Sequence, residues 1–192
     1  MRGGSVSRGT LKTMIEGIGD GGAIRRDGAI VRVPHVFDAR EIAFASGPRM
    51  AVTIPWGDIA TAWRTTGIPN IRVYSAQSPR AIARTRRLAR LAPLLAFKPV
   101  KRMLQALASR RTGPDEAARS SGRIDLWGMV RNAAGSEVTR TLSTPEGYRF
   151  TMLSALASVE RVLAETRPGA WTPAALFGGQ FVTTIDEVEG PA

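Results

Sequence analysis

The chain has 192 residues, of which 43% are hydrophobic and 6% aromatic, a composition that supports a folded core and excludes an intrinsically disordered chain. Lys and Arg number 27 against 16 Asp and Glu, a net charge of +11, so an anionic partner enters the argument from the start. The absence of cysteine and the single histidine, His35, exclude disulfides, a thiolate nucleophile, cysteine-based zinc or iron–sulfur sites and a paired-imidazole metal site.

The residues up to Thr10 lack the apolar stretch of a secretory signal. Beyond them, Leu11, Met14, Ile15 and Ile18 fall at i, i+3, i+4 and i+7, which predicts a helix stopped by the glycines at 19, 21 and 22. Gly17-Ile18-Gly19-Asp20-Gly21-Gly22 spells GxGxxG. A dinucleotide loop follows a strand and opens a helix, whereas this one follows a helix and runs into a strand, so it reads as a glycine C-cap and turn. An Asp27-Gly28 turn introduces a strand over 29–33, and His35 reads as a structural residue of a loop or strand edge. Ile42 and Phe44, then Met50, Val52 and Ile54, alternate on either side of Ser46-Gly47-Pro48, which predicts a hairpin.

Asp58 is expected to N-cap a helix that buries Ile59, Ala62 and Trp63 and ends at Thr65-Thr66-Gly67, after which Ile71 and Val73 begin a strand. Asp58 also stands where a strand hands over to a helix, a frequent place for ligand contacts in α/β proteins. Arg64 is suited to clamping a carboxylate or phosphate, and its plain alternative is a solvated arginine. Trp56 and Trp63 read more readily as core than as a substrate platform.

Residues 78–111 contain Arg80, Arg84, Arg86, Arg87, Arg90, Lys98, Lys101, Arg102, Arg110 and Arg111 and no acidic residue. Leu88, Leu91, Leu95, Met103, Leu104 and Leu107 keep a helical period through the same stretch, with breaks near Pro93 and Pro99, so it is read as an Arg-rich amphipathic helical pair followed by a polar loop over 112–122. Such helices suit an anionic membrane surface, where each basic residue contributes about 1 kcal/mol, or pack on their own domain with a solvated basic face. The surface cations in question are Arg80, Arg84, Arg87, Lys98, Lys101 and Arg102. Nucleic acid ranks last, because no recognisable nucleic-acid module accompanies the charge. The run from Leu91 to Phe97 would cover only ~10 Å as a helix, against a hydrocarbon core of about 30 Å, so it does not span a bilayer.

Ile124, Leu126, Gly128 and Val130 share one strand face, Asn132-Ala133-Ala134-Gly135 turns, and a second strand returns over 136–143. A helix follows with Met152, Ala155, Leu156, Val159 and Leu163 on one stripe, ended at Arg167-Pro168-Gly169. Trp171-Thr172-Pro173 starts a further short element, and Phe181-Val182 is expected as a strand. Tyr148, at the start of the long helix, is placed either to donate a proton or to staple the helix N-terminus. No P-loop, GxSxG elbow or HExxH motif is present.

Gly9-Thr10-Leu11, Val52-Thr53-Ile54-Pro55-Trp56-Gly57-Asp58, Thr65-Thr66-Gly67-Ile68-Pro69-Asn70-Ile71 with Val73-Tyr74, and Thr144-Pro145-Glu146-Gly147-Tyr148 follow one another in an order that resembles the C-terminal part of the saccharopine dehydrogenase-like oxidoreductases, which include the trans-acting enoyl reductases. The resemblance covers nearly the whole chain. It implies a complete enzyme with an N-terminal Rossmann domain for NAD(P) and a second α/β domain that completes the substrate site, transferring hydride to an enoyl or imine-type carbon. The chain starts about where the family's cofactor domain ends, so it is expected to be a truncated or split form that binds no cofactor and is inactive alone. The shared motifs make Trp56, Asp58, Thr65, Thr66 and Tyr148 candidate substrate-binding residues, Arg64 joins them as the residue suited to clamping an anion, and no catalytic residue and no metal is carried over.

The expected architecture is therefore α/β (α+β): a single domain over 1–192, with a mixed, largely antiparallel sheet, helices on one face, the basic helical insert at 78–111 and no Rossmann domain. The expected partners are a separate Rossmann-domain subunit or further copies of the chain, and an anionic membrane surface. The expected location is cytoplasmic, peripheral to the inner face of the membrane. The alternative is a non-catalytic peripheral membrane or scaffold protein that uses the Arg-rich helices.

Overall fold

A computed structural model describes residues 7–109, 122–165 and 167–190. They fold as α+β, with helices beside small antiparallel sheets. Their contacts gather them into two compact units, one of residues 7–41 and 49–109 and one of residues 42–48 and 122–190, where the sequence reading treats the chain as one domain.

In the first unit, Ser7 caps α1 (Arg8–Glu16) by accepting from Thr10 N at 3.1 Å, and Gly17 closes it. The GxGxxG run is thus a helix end and turn, and Gly21 is required there. Its φ is +76°, and a Cβ would come within 2.8 Å of the Val33 carbonyl oxygen. Strands β1 (Gly22–Arg26) and β2 (Ala29–Val33) pair antiparallel across Asp27 and Gly28, whose φ values of 50° and 79° make the two-residue turn that matches strand twist.

Strands β3 (Ala39–Phe44), β4 (Gly47–Thr53) and β5 (Tyr74–Ala76) form a three-stranded sheet, with Thr53 opposite Tyr74 and Ala51 and Val52 buried. The strand expected from Ile71 is shorter. Ile71 makes only an isolated bridge with Arg25, because Pro69 has no N–H for a ladder and this segment hooks over the β1–β2 turn. Gly28 N donates to Pro69 O at 2.9 Å and Asp27 N to Asn70 Oδ1 at 3.1 Å.

Helix α2 (Asp58–Thr66) corrects the capping expectation. Helical bonding begins earlier, with Ala60 N donating to Gly57 O at 2.8 Å, so Gly57 is the N-cap and Asp58 the first helical residue. Its carboxylate still lies where the helix dipole favours negative charge. Gly67, at φ 69°, ends the helix in the left-handed conformation.

The basic segment forms α3 (Pro79–Arg90), α4 (Ala92–Leu95) and α5 (Lys98–Ser109), the expected pair with one short helix between its members. Ser78 caps α3 through Ala81 N at 3.2 Å, and Pro79 occupies a first-turn position where a missing N–H costs nothing. Arg87 and Arg90 fall in its last turn, favourably placed against the helix dipole. Ile82 and Ala108 are the buried contacts of α3 and α5, and α5 packs against α1. Arg110, Arg111 and, apart from Gly122, the expected polar loop lie outside the described residues.

In the second unit, β6 (Arg123–Arg131) and β7 (Glu137–Pro145) pair along their whole length, and Ser46 at the β3–β4 turn donates its backbone N–H to Asp125 Oδ2 at 3.2 Å. Helix α6 (Gly147–Ala164) starts where the Glu146 carboxylate accepts from Tyr148 N at 2.9 Å and Arg149 N at 3.3 Å. Helix α7 (Pro173–Phe177) is capped by Thr172. The expected strand at Phe181-Val182 is instead a 3-10 helix over Gly179–Thr184, which buries Phe181 against Phe177 with ring centroids 4.8 Å apart. Gly178-Gly179 and the threonines Thr183 and Thr184, whose hydroxyls bond back three residues, favour the tight turn over an extended chain.

Candidate functional site

The motif block at 52–70 is anchored by a residue that sequence reasoning passed over. Arg25, on β1, is only 6% exposed, and its Nε donates to Ile59 O at 2.6 Å while Nη1 donates to Gly28 O. The guanidinium also lies 4.4 Å from the centre of the Trp63 ring. One buried cation thus ties the hairpin turn, the first turn of α2 and the Trp63 face together, and Arg25 belongs to none of the described ion pairs.

With α2 fixed in this way, its candidate residues sort themselves. Ile59 is buried as expected, whereas Trp63, expected in the core, is 41% exposed although it stacks on Arg25. Trp56, in the loop ahead of α2, is 62% exposed, so it is not core. Asp58 and Arg64 are exposed. Thr65 and Thr66 serve the helix end: their hydroxyls donate to Thr61 O at 2.9 Å and Ala62 O at 2.8 Å, and Thr66 Oγ1 also accepts from Ile68 N at 3.2 Å. Trp56, Asp58 and Arg64 therefore present an aromatic face, a carboxylate and a guanidinium to solvent from one short segment.

Beside β4 lies a cluster of ionisable groups joined across long separations in the chain. Tyr74 OH donates to Asp38 Oδ2 at 2.6 Å and Arg72 Nη1 donates to the same oxygen at 3.0 Å. The Asp38 backbone is held by Thr53, through Thr53 N to Asp38 O at 3.0 Å. The hydrogen bond from Tyr74, followed by the charge and hydrogen bond of Arg72, holds the Asp38 carboxyl below its ordinary value. Burial, followed by the hydrogen bond to Asp38, pushes the Tyr74 phenol up. The two hydrogen bonds to Asp38 tie the 34–38 loop to Arg72 and to Tyr74 at the start of β5.

The two shifts act at opposite ends of the pH scale. The Asp38 contribution is complete above the ordinary carboxyl value of 3.8 and is lost as pH falls through its lowered folded value. The Tyr74 contribution is complete below 10.0 and is lost as pH rises through its raised value. Tyr148→Phe leaves Tyr74 as the sole tyrosine of two. Its absorbance titration is expected to have a midpoint above 10.0, and Asp38→Asn is expected to bring that midpoint down.

Tyr148 belongs to the second unit, while the other candidate substrate residues belong to the first. Its ring is 40% exposed at the start of α6. In the same unit, an open hollow of about 350 Å³ is lined by Trp127, Arg140, Gln180 and Thr183 among others, with no carboxylate or imidazole in its lining. Such a hollow offers hydrogen bonds and one cation to a ligand but no general base. Among the described residues, no group of three or more His, Asp or Glu is placed to hold a metal ion.

Of the cations on the basic helices, Arg80, Arg84, Arg87, Lys98 and Arg102 are exposed. Lys101 is half-buried by comparison. Its Nζ donates to Glu16 O at 2.6 Å, which closes the end of α1 with a cation where the dipole favours one. No described helix is long and apolar enough to cross a membrane.

The long helix α6 forms the expected stripe and leaves it uncovered. Its stripe of Met152, Leu156, Val159 and Leu163 is the outward face, 52%, 56%, 56% and 80% exposed, and none of its residues is buried. Apolar surface in such a row is the mark of an interaction face. No family model and no curated protein matches the chain.

Proposed function

We propose that these residues are the substrate and assembly half of a saccharopine dehydrogenase-like oxidoreductase, which reduces an enoyl or imine-type substrate with hydride from NAD(P)H bound by a separate Rossmann domain. The sequence motifs suggest the family. The observation that carries the assembly role is the uncovered stripe of α6, which a chain acting alone has no reason to leave in water. The antiparallel pairing of the described strands agrees with a division of labour, since a Rossmann cofactor site needs a parallel sheet.

In this reading Trp56 offers its face to the unsaturated part of the substrate, and Arg64 binds an anionic group on it. The nicotinamide supplies the hydride, and the residues here bind and orient the acceptor. Titration with a short enoyl thioester in the absence of nicotinamide is the test. Saturable binding is expected, and a flat response would contradict the proposal.

A further inference from the structure

We propose that the α3–α5 segment docks on the surface of an anionic lipid bilayer, with its apolar side chains entering the headgroup boundary and its arginines pairing with lipid phosphates. This inference is independent of the oxidoreductase reading. It starts from α5, which carries apolar side chains on its exposed side as well as on its covered one. Ala108 is buried and Val100 and Leu104 are half-buried, and beside them Lys101 Nζ donates to Glu16 O at 2.6 Å and Gln105 Nε2 to Glu16 Oε2 at 3.2 Å. The outward side of α5 carries Met103 and Leu107, 57% and 53% exposed and one helical turn apart.

Exposed apolar side chains also run through the connection before it. Leu91, Leu94 and Phe97 are 51%, 63% and 61% exposed. These side chains are flanked by the exposed cations Arg84, Arg87, Arg90, Lys98 and Arg102, and no acidic residue occurs between Ser78 and Ser109. None of these cations belongs to a described ion pair.

Charge complementarity selects an anionic occupant, and the apolar row selects among anions. Nucleic acid satisfies arginine but gives Leu94, Phe97, Met103 and Leu107 nothing to enter, whereas a bilayer interface satisfies both. Each cation near an anionic leaflet strengthens binding roughly fivefold at low salt, so several suffice without a spanning helix. The segment lies on the membrane and does not cross it.

The test is flotation of the full chain with vesicles of phosphatidylcholine alone and of phosphatidylcholine with phosphatidylglycerol, alongside a gel-shift titration with a short duplex DNA at the same salt. The chain is expected to float with the anionic vesicles and not with the neutral ones. Leu94→Glu with Phe97→Glu is expected to lower vesicle binding at least tenfold, and Arg84→Glu with Arg87→Glu by a similar factor. Both pairs are exposed, so an unchanged far-UV spectrum is expected. Should either pair fail to fold, Met103→Glu with Leu107→Glu repeats the apolar test on the outward side of α5. Failure to float, equal flotation with both vesicle types, or charge-dependent binding to vesicles and DNA alike that ignores the apolar substitutions would overturn the proposal.

Discussion

Arg25→Ala is expected to destabilise the first unit by about 3 kcal/mol, the largest single-residue loss in that unit. Two interactions set the size. The substitution removes both donors that meet Ile59 O and Gly28 O, and a hydrogen bond from a charged group contributes roughly 1.5–3 kcal/mol. It also removes the stack on Trp63, worth about 0.5–2 kcal/mol. Arg25→Lys keeps the charge but cannot reproduce a planar fork reaching two carbonyls and a ring face, so a loss near half as large is expected. The neighbouring Arg26 is exposed, and Arg26→Ala is the control, with a change within about 0.5 kcal/mol. Urea unfolding followed by tryptophan fluorescence measures all three. Equal, small losses for Arg25→Ala and Arg26→Ala would show that Arg25 is not an anchor.

The second large effect is expected at the α6 stripe. In isolation the chain is expected to self-associate, because Met152, Leu156, Val159 and Leu163 lie more than half exposed in one row. Covering one such side chain contributes roughly 1–2 kcal/mol, so Leu156→Glu with Val159→Glu, counted on both copies of a pair, is expected to weaken association by about 100-fold or more. The same substitutions should leave thermal stability nearly unchanged, since neither side chain is in the core. Sedimentation velocity over a concentration series reads both states. A wild-type chain that remains monomeric throughout would contradict the interface assigned to α6.

Much of the architecture was written in local signals. Asp27-Gly28 demanded a turn and Gly67 a helix end, and each does that work in the fold. Periodicity, however, reports that a stripe exists and not which side of it is covered. For that reason the stripe of Met152, Leu156 and Val159 could be read from the sequence while its outward direction could not. Arg25 on β1 escaped notice because a charged residue is not a core candidate until its partners are known.

The cluster at Asp38 was illegible for a different reason. Its members meet across separations of 34 and 36 residues, and no local pattern links a carboxylate in one loop to a phenol on a strand that follows a whole helix. Among the candidate substrate residues, Trp56 could be noticed by its motif but its exposure could not be read, while Thr65 and Thr66 gave no sign that their hydroxyls bond to the helix behind them.

The central claim, that this chain supplies the substrate half of a reductase, is tested most directly by tryptophan fluorescence during titration with crotonyl-pantetheine, comparing the wild-type chain with Trp56→Phe. The account predicts saturable quenching without any nicotinamide, and an affinity at least tenfold weaker in Trp56→Phe. An unchanging signal, or the same affinity in both proteins, would contradict it.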